Sequence, residues 1–407
     1  MNRCKRCLLL EGKFNVVLNA SGTCNYCDYF ERQKETVLNI TGRENMLVRK
    51  FEKHRGKYEY DAIVGLSGGK DSTYVLYQLV NKYRLRVLAV TYDNGFLTDY
   101  AKESIKNTIN KLGVDHYYHK PNWGTHKKFY KATVQKLFDP CIACGLGGYF
   151  LAIKGCYEKQ VPFFVHGRTP YQMYRNFYKN SKDIFLPMMK LNLMGRSFML
   201  NSYSYFALLK SAPIKLAPDL ICKVRSNDFV SSAVYRYVYS MINQFVRQYV
   251  SGITDSVQDA KEITDEFFVD SGKLMKGFVP EFLAYFLFEE YDEEKIKTSL
   301  ENALGWRRPP SDNLLGHHDC SLHDAAAYMF KSLNEVDVIE PDIAVMLRFG
   351  QISKEKANEI MQVNQPVEKN LEKSLDSLCA LCEFSREDLG EILIALKQAN
   401  ISKFSSR

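Results

Sequence analysis

Between Tyr60 and Tyr83 the chain changes character twice. Asp61-Ala62-Ile63-Val64-Gly65-Leu66 is a short apolar run, Ser67-Gly68-Gly69-Lys70-Asp71-Ser72 is a small polar loop, and apolar residues then return at Tyr74, Val75, Leu79, Val80 and Tyr83. An unbroken apolar run suits a strand buried on both faces, and the spacing that follows suits a helix. Strand, loop and helix make half of a crossover unit, which parallel strands require. The pattern continues with a second strand over 86–92, a helix over 99–112 with Ile105, Ile109 and Leu112 on one face, and a third strand over 114–118. Helices near 129–138 and 146–159 precede a fourth strand over 162–165. Alternating elements of this kind predict an α/β domain over 59–190, built on a doubly wound parallel sheet.

The rest of the chain reads differently. Residues 1–30 are a small cysteine-rich unit, and 31–58 a helical connector. Beyond 190 strand signals fade, and 231–250, 280–291, 292–304, 321–333, 353–363 and 385–399 read as helices, so 191–407 is expected to be a helical domain for substrate or partner. A length of 407 residues fits two or three domains at roughly 150 each, and 46% hydrophobic residues suffice for a core. Mixed charge and 13% aromatics exclude a disordered chain. The 55 Lys and Arg against 47 Asp and Glu leave +8, spread along the sequence, which suits anionic ligands without demanding nucleic acid. After the basic start only the three apolar residues Leu8 to Leu10 come before Glu11, unlike a signal peptide, and the richest apolar stretch, 282–288, is far short of the ~20 residues that cross a bilayer. A cytoplasmic protein without membrane contact is expected.

The loop at 67–72 is chemically specific. Gly68 and Gly69 let backbone N–H groups close around an anion at a helix N-terminus. Ser67 and Ser72 add hydroxyls, Lys70 a point charge, and Asp71 a carboxylate able to hold Mg2+ on phosphate oxygens. The nucleoside triphosphatase pattern with Gly-Lys-Ser/Thr needs Gly where Val64 stands and Ser or Thr where Asp71 stands, so the loop is of another kind. A Ser-capped turn is the plain alternative.

The 11 cysteines include Cys4-x-x-Cys7 and Cys24-x-x-Cys27, separated by a turn at Asn19-Ala20-Ser21-Gly22. Two such knuckles offer the four thiolates of a closed, structural Zn2+ site. Cys141-x-x-Cys144 opens a helix after the third strand, on the edge of the sheet that carries the phosphate loop. Cys156, Cys320, Cys379 and Cys382 are expected to be buried thiols. His317, His318, Cys320 and His323 gather beside Ser321, a candidate helix cap, and follow Gly305-Trp306-Arg307-Arg308-Pro309-Pro310. That cationic and aromatic loop makes Trp306, Arg307, His317 and His318 candidate contacts to an anionic, sugar- or base-containing substrate.

With its flanking strand and helix, Ser67-Gly68-Gly69-Lys70-Asp71-Ser72 resembles the signature of the PP-loop ATP pyrophosphatases, which implies an adenine nucleotide alpha hydrolase-like fold. The resemblance implies that the loop holds the outer phosphates of ATP with Mg2+, Lys70 and Asp71 acting in catalysis, while a substrate oxygen attacks the α-phosphorus and pyrophosphate leaves. Asp93, just past the second strand, lies where such folds contact the adenosine. Gly167 allows close approach of the nucleotide, although His166-Gly167 reverses the Gly-His order of many relatives. Cys141, Cys144 and Cys222 resemble the cluster-binding trio of PP-loop tRNA thiolases, which implies a 4Fe-4S iron-sulfur cluster. The knuckles, the phosphate loop, Leu304-Gly305-Trp306 and the stretch from Met346 to Ala357 together resemble the N-acetyl sugar amidotransferases of bacterial surface-polysaccharide biosynthesis. That implies a nucleotide-sugar acceptor and, since no glutaminase nucleophile is evident, a separate ammonia-supplying glutaminase subunit. Two other readings stand beside it: sulfur transfer to tRNA or a small molecule, with tRNA the weaker fit, and a nucleotide-sensing scaffold without catalysis.

Overall fold

The computed structural model describes residues 2–174, 244, 247–269, 280–307, 319–363 and 368–405. Two helices, α1 (Asn25–Leu38) and α2 (Arg43–His54), fill the connector. The α/β unit follows as β1 (Ala62–Gly65), α3 (Lys70–Asn81), β2 (Val87–Tyr92), α4 (Asp99–Leu112), β3 (Asp115–His119), α5 (Trp123–Leu137), α6 (Cys141–Glu158), β4 (Phe163–His166) and α7 (Pro170–Tyr174). Local chemistry sets these limits. Thr98 and Asn122 cap α4 and α5 by accepting from Ala101 N and Thr125 N, and Gly113 ends α4 in the left-handed region.

The strands form one parallel sheet in the order β3-β2-β1-β4-β5. The chain moves from β1 outward to β3 and then returns to the other side of β1 for β4. Right-handed crossovers therefore put α3 and α4 on one face, α5 and α6 on the other. This is the expected doubly wound sheet, with its topological switch between β1 and β4.

The fifth strand corrects the reading of 280–291 as a helix. β5 (Glu281–Ala284) pairs parallel with β4, Phe164 opposite Phe282 and Val165 opposite Leu283, and a single 3-10 turn over Tyr285–Leu287 follows. A short apolar run buried on every side has no period to separate strand from helix. The sheet thus draws on chain beyond residue 190. The helical pattern holds elsewhere in α9 (Glu293–Leu304), α10 (His323–Asn334), α12 (Lys354–Val363) and α14 (Arg386–Ser405). Two helices not anticipated as elements are α8 (Val257–Phe267) and α11 (Glu340–Phe349), while α13 (Glu368–Cys382) carries the helical pattern of Leu378, Cys379, Leu381 and Cys382. Most of the helix expected over 231–250 lies outside the described residues.

Knuckle, sheet and C-terminal helices share one buried core. Phe30 of α1 stacks on Phe349 with ring centroids 5.2 Å apart, and Arg3 reaches the buried Glu340 at 2.6 Å. No helix among the described residues is long and apolar enough to cross a membrane.

Candidate functional site

Because all strands run parallel, the loops that leave β1, β2, β4 and β5 share one edge of the sheet. The loop after β1 is folded on itself there. Ser67 N and Oγ each lie 3.3 Å from Ser72 Oγ, Gly69 N donates to Ser67 Oγ at 3.3 Å, and Ser72 Oγ donates to Gly69 O at 3.1 Å. Gly68 is needed for two reasons: its φ is +83°, and a Cβ would stand 2.5 Å from Ala101 O. Its carbonyl accepts from Ser104 Oγ at 2.8 Å and faces Trp306 Nε1 at 3.5 Å. Gly167, after β4, packs so closely on the start of α3 that a Cβ would lie 2.8 Å from Asp71 O. The close approach at Gly167 is thus to the loop itself. Loops from β1 and β4 meet at the switch point, where open α/β sheets bind ligands.

Lys70 and Asp71 are paired at 2.6 Å, and both meet a residue that sequence reasoning missed. Tyr291 donates to Asp71 Oδ1 at 3.0 Å, its hydroxyl touches Lys70 Nζ, and Lys70 Nζ lies 4.9 Å from its ring centroid. Burial raises the Tyr291 pKa and so keeps the phenol protonated. Tyr171 and Phe286 hold the ring edge-on at 5.2 and 4.9 Å. The signal was lost with β5: only once that strand is laid beside β4 does the chain after it return to the phosphate loop. His166, at the end of β4, is buried, and burial lowers its pKa to about 3, so it is neutral.

The loop after β2 holds the second group. Asp93 accepts from Gly95 N at 3.0 Å and from the Tyr118 hydroxyl at 2.8 Å. Asn94 is buried, and its amide points to Cys144 Sγ at 3.3 Å and to Cys320 Sγ at 3.8 Å. Cys320 is carried in by an antiparallel bridge to Leu97, with Ser321 N donating to Phe96 O at 2.8 Å. Burial raises both thiol pKa values, that of Cys320 to about 12. Cys320 is therefore not an isolated buried thiol as expected, whereas Cys156, Cys379 and Cys382 are buried. Cys141 is exposed at the start of α6. Asp319, the residue before Cys320, approaches the phosphate loop: a Cβ at Gly69 would be 3.6 Å from its Oδ2.

Two further expectations are corrected. Ser321 does not cap α10, whose first turn follows Leu322, but donates from Oγ to Phe96 O at 3.2 Å. Trp306 is 7% exposed and wedged under the phosphate loop, not presented to a substrate. Arg307 is exposed beside it, its carbonyl accepting from Tyr100. Cys222, His317 and His318 lie outside the described residues.

The knuckle thiols are brought together. Cys4, Cys7, Cys24 and Cys27 are buried, their sulfurs all within 4.8 Å of one another. The separations of 3.9 Å for Cys4 and Cys27 and 3.6 Å for Cys7 and Cys24 match the ~3.8 Å edge of a tetrahedron with Zn–S bonds of about 2.3 Å. Arg6 N and Cys24 N donate to Cys4 Sγ at 3.4 and 3.3 Å, which favours its thiolate. The donor set fits a closed structural metal site.

No family model matches the chain. Over 109 residues it is 32% identical to an uncharacterized protein of Methanocaldococcus jannaschii, a match covering 27% of this chain and 35% of that protein. The chain thus spans about a third of the length of that curated relative. Among solved structures it is similar to NMN synthetase from Francisella tularensis, with 14% identity and a TM-score of 0.27 over 60% of this chain and 99% of that one. It is also similar to the U34-tRNA thiolase NcsA from Methanococcus maripaludis with its 4Fe-4S cluster, with 11% identity and a TM-score of 0.31 over 90% of each chain.

Proposed function

We propose that the chain is an ATP-dependent enzyme of the PP-loop pyrophosphatase type, one that adenylates an acetamido or carboxamide carbonyl and substitutes ammonia. The observation that carries this reading is the meeting of the Ser67–Ser72 loop with Gly167 at the switch point of the sheet, with Lys70 and Asp71 on its rim. In this chemistry the carbonyl oxygen attacks the α-phosphorus, the bond to the bridging oxygen breaks, and pyrophosphate leaves with the electron pair. Ammonia then adds to the imidate carbon and expels AMP. Lys70 and the loop N–H groups would neutralise charge on the departing pyrophosphate, the electrostatic effect that usually dominates such catalysis. Asp71 would hold Mg2+ against phosphate oxygens, and Cys4, Cys7, Cys24 and Cys27 would hold a structural Zn2+.

The resemblance of the knuckles and the 346–357 stretch to sugar amidotransferases supports a nucleotide-linked N-acetyl sugar as acceptor, with ammonia from a partner subunit. A second reading, sulfur transfer, is favoured by one observation: Cys144 and Cys320 share the Asn94 amide beside the phosphate loop. Turnover of ATP labelled at the α-phosphate, with ammonium and an N-acetylated nucleotide sugar, tests the first reading. AMP and pyrophosphate in equal amounts are expected; release of ADP would refute it. Under ammonia transfer Cys141→Ser and Cys144→Ser retain most turnover, whereas sulfur transfer requires that they lose it.

A further inference from the structure

A groove of about 500 Å3 runs between α4 and the edge strand β3. Lys102 and Lys106, one turn apart on α4, and Lys120, just past β3, converge on it above a floor of Ile105 and Ile109, with Tyr118 as one wall. Lys102 has a 3.6 Å contact with the fully exposed Asp99. Lys106 and Lys120 have no carboxylate partner among the described residues, and Lys120 Nζ lies 5.9 Å from the Tyr118 ring centroid. The groove is distinct from the phosphate loop: Ala101 and Ser104 of α4 face Gly68, whereas Lys102 and Lys106 are exposed to solvent. No linear reading of the sequence joins Lys120 to the other two lysines; the crossover from α4 to β3 does.

We propose that this groove is a docking track for a single-stranded nucleic acid, its phosphates on the three lysines and a base against Tyr118. Its openness argues against a small ligand, since small-molecule sites bury most of their occupant, and here all three lysines and Tyr118 are exposed. An acidic protein is disfavoured because lysine is depleted at protein interfaces. A lysine row with aromatic faces suits a flexible strand, which every base can stack on. Past the end of β3, Trp123 adds a further aromatic face, 48% exposed. Trp123 overlies Gly95, the residue that donates to Asp93, and Tyr118 bonds Asp93 directly. The track therefore leads to the loop after β2 at the site edge.

The inference does not rest on the ATP reading, because strand binding and pyrophosphate release are separate readouts. Fluorescence anisotropy of a labelled single-stranded oligouridylate, titrated with the full chain at several salt concentrations, tests it. Three phosphate contacts at about 0.7 each give an expected log–log salt slope of about −2. Lys106→Glu and Lys120→Glu should each weaken binding about tenfold and make the slope shallower by about one contact, with unchanged far-UV circular dichroism and pyrophosphate release. Affinity unaffected by both substitutions, a slope near zero, or uridine diphosphate competing as tightly as the oligomer would each overturn the proposal.

Discussion

A single hydroxyl ties the start of α3 to the chain that follows the last strand of the sheet. Tyr291 meets Lys70 and Asp71 together, so it sets where the two charges stand. Tyr291→Phe keeps the ring against Tyr171 and Phe286 but removes that contact, and a hydrogen bond to a charged group is worth about 1.5–3 kcal/mol. Pyrophosphate release should fall roughly ten- to hundredfold with melting little changed; unaltered turnover across an ATP titration would remove Tyr291 from the site. The loop from Ser67 to Ser72 was legible as a strand-to-helix turn because its two glycines and the periodicity on either side are local signals. Tyr291, Asn94 and Asp319 were not, since each acts only through a neighbour distant in sequence. His166 supplies a second residue-scale expectation. Burial lowers its folded pKa to about 3 against about 6.5 when unfolded. The unfolded chain therefore binds the extra proton as pH falls below about 6.5, and stability is lost progressively down to about pH 3. His166→Gln should lose less stability between pH 7.5 and 5 than the parent chain, measured by urea midpoints; equal losses would show that His166 titrates normally.

At the scale of elements, legibility tracked how much of an element's pattern faces solvent. Helix α4, with buried Ser104, Ile105 and Thr108 on one side and Lys102 and Lys106 on the other, appears at its expected limits. Strand β5 does not, because Phe282, Leu283 and Ala284 are buried without alternation and resemble a core helix as closely as a strand. The knuckle is the opposite case: four cysteines at two fixed spacings announce it, yet the apolar residues it can bury alone are few. Its metal would then be a folding element, as in other small ligated units. Stripping it with a chelator should lower the melting temperature by several degrees, at roughly 1 °C for each kcal/mol lost at this size, and added Zn2+ should restore it. A chain purified without bound metal that melts at the same temperature would refute a structural ion.

Across the whole molecule the knuckle is the contact that closes the chain on itself. Arg3 meets Glu340, Lys13 meets Glu335 and Phe30 stacks on Phe349, while Arg43, the first residue of α2, donates to Leu287 O beyond β5. None of these long-range pairings has a local sequence signature, so the buried cluster that joins knuckle, sheet and C-terminal helices is visible only in the fold. A shared core predicts cooperative unfolding. The two tryptophans, Trp123 and Trp306, both sit beside the sheet, and far-UV circular dichroism reports helices from both ends of the chain. In metal-loaded protein the two signals should therefore change at the same urea concentration. Phe30→Ala removes a buried aromatic worth about 3–5 kcal/mol on truncation and unlocks α11 from the knuckle. In that variant ellipticity should begin to fall before fluorescence does, as the C-terminal helices detach from a sheet still intact. Coincident curves in Phe30→Ala would mean that the helices hold to the sheet without the knuckle, and separated curves in the parent chain would mean that no common core exists.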